Sequence, residues 1–227
     1  MAEFVLVHGT AQSPAGWDRL AHALGERGHG VTAIDLPVDQ PEWGVADYAR
    51  EAAAQAGEPA AGRRVVAGHS GAGVLLPAIA GATGANTVAW LAAYVPDLAG
   101  GHSMAGDIKA HRDAMFHPDW LGVDPTSDPR LALRFLFHDC DPDTQRWALG
   151  TLRLFSPGPA VYQHIPQPLP PAVGRLFILP TGDRTLRPDW MREAAWQRLG
   201  VRPAEVDAGH CPHVSQPETI AEILTRA

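Results

Sequence analysis

Ser70, Asp183 and His210 are of the three residue types that can together make a serine nucleophilic. Ser70 lies in Gly68-His69-Ser70-Gly71-Ala72-Gly73, after the apolar run Val65-Val66-Ala67 and before Val74-Leu75-Leu76-Pro77-Ala78-Ile79-Ala80, which reads as a buried helix. A strand that reverses sharply into a helix strains its turning residue and brings backbone close on both sides, so small neighbours are needed there. The hydroxyl is then held at the amino end of a helix, where backbone N–H groups favour negative charge. A Gly-x-Ser-x-Gly elbow would have glycine where Ala72 stands; here Gly73 follows one place later. A serine hydroxyl is a weak nucleophile near neutral pH. It needs a base to take its proton, and the base needs a third group to fix its tautomer and steady the cation.

The elements around these residues alternate. Phe4-Val5-Leu6-Val7 is a continuous apolar run, the mark of a strand buried on both faces, and it ends at His8-Gly9-Thr10. Ser13-Pro14 then offers a cap and a first-turn proline to a helix carrying Trp17, Leu20, Ala21 and Leu24. Val31–Pro37 reads as the second strand, Val45–Ala56 as a helix, Arg64–Gly68 as the third strand, Gly71 to about Gly81 as the helix behind Ser70, and Thr87–Val95 as the fourth strand. Later come a fifth strand, Leu176–Leu179, ending in Pro180-Thr181-Gly182-Asp183; a helix, Pro188–Leu199; a sixth strand, Arg202–Val206, ending in Asp207-Ala208-Gly209-His210; and a closing helix, Ser215–Leu224. Strands alternating with helices imply βαβ units, and hence a six-stranded, mostly parallel sheet with helices on both faces. Parallel strands place Ser70, Asp183 and His210 on one edge of that sheet, in a chain order used by one of three unrelated triad architectures. His213 competes with His210 for the role of base, and Asp97 with Asp183 for that of the acid.

Residues 96–171 break the rhythm. They hold many of the aromatics and histidines, two expected amphipathic helices at Leu131–Phe137 and Thr144–Leu154, and a connector marked by Pro157, Pro159, Pro166, Pro168, Pro170 and Pro171. Some 75 residues without a clear strand read as a helical cap inserted over the carboxyl edge of the sheet. One domain over 1–227 is expected, with its core in 1–95 and 172–227.

The 227 residues are 45% hydrophobic and 19% charged with net charge −7, which disfavours nucleic acid as a partner. Cys140 and Cys211 lack metal-ligand spacing and read as free thiols of a reducing compartment. The amino terminus has no basic region before an apolar stretch, and no apolar segment approaches the roughly 20 residues that span a bilayer, so a cytoplasmic protein is expected.

Four segments resemble the α/β-hydrolase superfamily, and within it the small esterase and hydroxynitrile-lyase-like branch that includes plant methylesterases. They are Phe4–Thr10 with Trp17, Gly68–Gly71, Thr181–Pro188, and Gly209–Pro212 with Gln216-Pro217-Glu218. The resemblance implies Ser70 as nucleophile, His210, directly after Gly209, as general base and then acid, and Asp183 as the orienting carboxylate. It also implies an oxyanion hole from the N–H groups of Thr10 and Gly71, and neither metal nor organic cofactor. Gly9, His138 and Cys211 are expected to border the substrate pocket. Cyanohydrin-cleaving lyases of the branch carry threonine and lysine where this chain has Gly9 and Cys211, which favours ester hydrolysis, and dehalogenases carry aspartate in place of Ser70. The expected partner is a small or medium carboxylic ester, with at most a second copy of the chain as a homodimer. Two other uses of the fold stand beside this: a non-hydrolytic step such as C–C cleavage, elimination or cyclisation, and a slow-turnover ligand receptor. The alanine-, arginine- and proline-rich composition associates the chain with high-GC bacteria.

Overall fold

All six expected strands form, and all run parallel, with no antiparallel member. In the computed structural model, which describes residues 1–59, 62–99, 101–164 and 169–226, they are β1 (Ala2–Val7), β2 (Gly30–Ile34), β3 (Arg63–His69), β4 (Thr87–Leu91), β5 (Gly174–Pro180) and β6 (Ala204–Val206), in the order β2-β1-β3-β4-β5-β6. The registers Leu6 with Ala67, Val66 with Val88 and Ala89 with Leu176 keep the carboxyl ends level. Strand order reverses between β1 and β3. In open parallel sheets the crevice for ligands opens at such a reversal, outside the strand carboxyl ends.

The strand period of two divides the apolar residues between two cores. Phe4, Leu6, Val65, Ala67 and Ile178 pack with Leu20 and Leu24 of α1 (Asp18–Gly25) and with Ile220 and Leu224 at the carboxyl-terminal end of the chain. Val5, Val7, Val66, Val88, Trp90 and Phe177 pack on the other face, against α2 (Val45–Ala56) and α3 (Leu76–Thr83). With both faces covered, the strands read as unbroken apolar runs, as β4 does at Val88-Ala89-Trp90-Leu91.

Between β4 and β5 lie α4 (Met104–Met115), α5 (Pro129–Phe135) and α6 (Pro142–Leu149). The helix α4 has no counterpart among the elements expected from sequence. Its apolar face is thin, and it is fastened by a buried carboxylate instead. Asp107 accepts from Tyr94 Oη and from Arg198, each at 2.6 Å. Burial works to raise the Asp107 pKa, but the Arg198 and Tyr94 hydrogen bonds outweigh it and hold the carboxyl below its ordinary value.

The expected helix Thr144–Leu154 is displaced. It starts at Pro142, capped by the Asp141 carboxylate on the N–H groups of Asp143 and Thr144, and stops at Leu149. Thr151 turns back on Ala148 O, and the chain after it leaves the helical path, with Leu152 bridging Gln12. Ser13 stands at the N-cap of a short 3₁₀ turn, Pro14–Trp17, that precedes α1, with Pro14 in its first turn, but its N–H and hydroxyl donate to Thr151 O and its side chain makes no cap bond. Pro166 and Pro168 of the expected connector lie outside the described residues. After β5 come α7 (Pro188–Ala194), continued by a π turn to Leu199, then the single turn α8 (Pro212–Ser215) and α9 (Pro217–Arg226). No helix among the described residues is long and apolar enough to cross a membrane.

Candidate active site

Ser70 is the first residue beyond β3 and has φ +53°, a left-handed value rare for a residue with a side chain. Its hydroxyl faces His210 Nε2 at 3.0 Å, and His210 Nδ1 faces Asp183 Oδ2 at 2.7 Å. The three expected side chains thus form one unbroken line across the strand ends. Asp183 and His210 are almost wholly buried, whereas Ser70 keeps some exposure. A carboxylate only accepts, so the hydrogen on His210 sits on Nδ1, leaving Nε2 to accept from Ser70.

Asp183 is held as tightly as it holds. Its Oδ1 accepts from Thr185 N at 2.6 Å, Thr185 Oγ1 at 3.0 Å and Leu186 N at 3.1 Å. That leaves Oδ2 for the imidazole. The competing residues lie elsewhere: Asp97 accepts from the N–H groups of Ala99 and His102, and His213 is buried with both ring nitrogens lacking a partner among the described residues.

The segments that carry Thr10 and Gly71 meet at the serine. A Cβ on Gly71 would lie 2.6 Å from Thr10 Cγ2, and one on Gly9 would lie 3.0 Å from Ser70 Cβ and 2.9 Å from His69 Nδ1. Gly9 is therefore a glycine of close approach, with β1's loop pressed against the elbow. The N–H groups of Thr10 and Gly71 donate to no protein acceptor among the described residues, while Thr10 O accepts from Phe155 N at 2.7 Å. Phe155 closes the segment after α6, which also pairs Leu152 with Gln12 and donates Arg153 N to Ala11 O. The loop bearing Thr10 is thus clamped by the chain that returns from α6. Asp139, between α5 and α6, does the same for the histidine loop, accepting from Gly209 N and Ser215 Oγ at 2.7 Å each.

Two of the residues expected to border a pocket are placed as follows. Cys211 is wholly buried behind His210, packed with Phe135, Phe137 and Val214, its Sγ 3.8 Å from Gln12 Nε2; burial pushes its thiol well above the ordinary value. It packs beneath the loop that carries His210 and is closed off from solvent. His138 Nε2 donates to Gly182 O at 3.1 Å, over the acid loop.

Behind His210 stands a column of rings: Trp17 to His213 at 4.3 Å, His213 to His69 at 4.7 Å, and His69 to His210 at 4.6 Å between centroids. His69 Nε2 donates to His210 O at 2.9 Å and so pins the backbone of His210. Burial lowers His213 to about 3 and takes His69 well below its ordinary value. His8, donating from Nδ1 to Gly9 O and accepting Leu36 N at Nε2, is lowered by burial to about 4. An unfolded chain binds protons on these three near pH 6.5, whereas the folded one binds them only at much lower pH. Between about pH 6.5 and 3 the unfolded state therefore holds more protons, and stability falls as pH falls. The variant His213→Leu is expected to flatten that dependence by nearly one proton, about 1.4 kcal/mol per pH unit at most. Urea unfolding at pH 7, 5.5 and 4.5 measures it, and an unchanged slope would show that His213 protonates freely in the fold.

Three solved structures show how far this architecture is shared. Polyneuridine aldehyde esterase superposes with a TM-score of 0.80 at 20% identity over 100% of this chain and 98% of that one. A pyrethroid hydrolase from Sphingobium faniae gives 0.75 at 19%, covering 100% and 97%. A histidine-to-alanine variant of tomato methylketone synthase I, in complex with beta-ketoheptanoate, gives 0.76 at 17%, covering 99% and 96%. No curated protein sequence matches the chain significantly. At these identities the structures establish the fold, which is that of the α/β hydrolases. The model of the alpha/beta hydrolase family matches residues 4–223, nearly the whole length, and the protein belongs to that family.

Proposed function

We propose that the protein is a serine hydrolase of small or medium carboxylic esters, working through an acyl-enzyme on Ser70. The observation that carries this reading is the line from Ser70 Oγ through His210 to Asp183, at 3.0 and 2.7 Å, on a serine with φ +53°. As Ser70 attacks the ester carbonyl, His210 Nε2 takes its proton and then gives it to the leaving alcohol. Water, activated by the same nitrogen, releases the acid. Asp183 fixes the tautomer and steadies the imidazolium. Charge developing on the carbonyl oxygen is met by the N–H groups of Thr10 and Gly71, each such donor being worth about 10²–10³ in rate. On this reading the chain between β4 and β5 is a cap, and Asp139 and residues 151–155 brace the histidine and oxyanion loops. The esterase and pyrethroid hydrolase named above support an ester as substrate.

A series of p-nitrophenyl esters tests the reading. Turnover with a chain-length optimum, together with stoichiometric labelling by a fluorophosphonate, is expected. Folded protein that neither releases p-nitrophenol nor takes the label would overturn it. A second reading, a non-hydrolytic step on the same three side chains, draws on the likeness to the methylketone synthase bound to a β-keto acid; consumption of such an acid without ester turnover would favour it.

A further inference from the structure

The acid loop carries a buried hydroxyl that no step of the proposed reaction uses. Thr185 is 2% exposed, and its Oγ1 lies 3.0 Å from Asp183 Oδ1 and 2.9 Å from His210 Nδ1. Donor and acceptor roles follow from chemistry. The hydroxyl hydrogen goes to Asp183 Oδ1, which only accepts, and the His210 Nδ1 hydrogen points at Asp183 Oδ2, so the Thr185 oxygen presents its lone pairs to Nδ1. The hydroxyl is not needed to shape the turn, because the N–H groups of Thr185 and Leu186 already tie the same carboxylate oxygen.

We propose that Thr185 is a positioning residue of the triad. It holds the plane of the Asp183 carboxylate through Oδ1 and adds a second oxygen facing Nδ1. When His210 accepts the Ser70 proton its ring becomes a cation, and the charge at Nδ1 is then met by two oxygens instead of one. Thr185 keeps its own proton throughout. The effect grows with the charge on the ring, so it belongs to the transition state more than to substrate binding. The proposal rests on Ser70 as nucleophile and His210 as base.

The experiment compares Thr185→Val, which keeps the β-branch and loses the hydroxyl, with Thr185→Ser, which keeps the hydroxyl and loses the methyl. With a p-nitrophenyl ester, the valine variant is expected to lose about tenfold in kcat, with KM within about twofold, while the serine variant stays within about threefold of the parent. The low-field proton resonance of His210 Nδ1–H, recorded without substrate, is expected to shift in the valine variant and to return in the serine variant. An unchanged resonance in Thr185→Val, or equal losses in both variants, would overturn the role. Parent protein that turns over no ester would instead count against the esterase reading, and the resonance would still decide the contact made by Thr185.

Discussion

Replacing either Ser70 or His210 by alanine is expected to lower kcat for ester hydrolysis by about 10⁶-fold, and the double variant to be no slower than either single one. The two atoms share one proton at 3.0 Å, so removing one leaves the other nothing to act on. Asp183→Asn is expected to be milder, at about 10⁴-fold, and the structure explains how it fails. Thr185 N and Leu186 N both donate to Oδ1, so an amide at 183 must keep its oxygen there and turn its NH₂ toward His210. His210 Nδ1 would then have to accept, which puts the ring hydrogen on Nε2, facing the Ser70 hydroxyl that the proposed mechanism has it deprotonate. Steady-state kinetics on all four variants, with melting curves to show that each is folded, make the check. A double variant markedly slower than both singles would mean that Ser70 and His210 act independently, and the acyl-enzyme route would fall.

The parts of this molecule that were legible in its sequence are those dictated by burial on two faces. Phe4–Val7 and Val88–Leu91 admit no polar residue because helices cover both sides, and a strand that must be apolar throughout is visible as such. Ser70, Asp183 and His210 were legible because chemistry restricts residue type and parallel strands restrict place. Where polar contacts hold an element, the pattern is silent. The helix α4 depends on the buried Asp107 and its two partners, Tyr94 just after β4 and Arg198 91 residues on, and no period in residues 104–115 announces them. The chain after Leu149 leaves the helical path because Thr151–Phe155 bond to the Thr10–Ser13 loop, an antiparallel contact across about 140 residues of sequence. Cys211 reads as a neighbour of the pocket from its place beside His210, and its complete burial against Phe135, Phe137 and Val214 depends on cap residues that the sequence does not place there. Thr185 was visible only as a letter in the acid loop, since its hydroxyl gains meaning from a ring brought up from another strand end.

The elbow yields the other large effect, at Gly73. A Cβ there would sit 1.8 Å from Tyr94 O, 2.9 Å from Tyr94 C and 3.1 Å from Tyr94 N, all of them backbone. No rotamer change relieves such a contact; the two segments must part by well over 1 Å. They are tied together too firmly for that, since Tyr94 N donates to Ser70 O at 3.1 Å, Trp90 Nε1 donates to Gly73 O at 3.3 Å, and the Tyr94 hydroxyl is anchored on Asp107. Overpacking that only side chains must absorb costs about 1–3 kcal/mol, and a backbone clash exceeds it, against a total stability of about 5–15 kcal/mol. Gly73→Ala is accordingly expected to lower Tm by at least about 10 °C or to leave no folded protein, with ester turnover lost in either case. Ala72→Gly is the contrasting control. The Ala72 methyl lies buried in the core beneath the elbow, so the chain tolerates alanine where the elbow motif asks for glycine, and restoring glycine there removes one buried methyl for about 1 kcal/mol with turnover kept. The glycine this elbow needs is thus the third residue after the serine, where the backbone following β4 passes. A Gly73→Ala protein with parental Tm and activity would show that the two backbones do not touch.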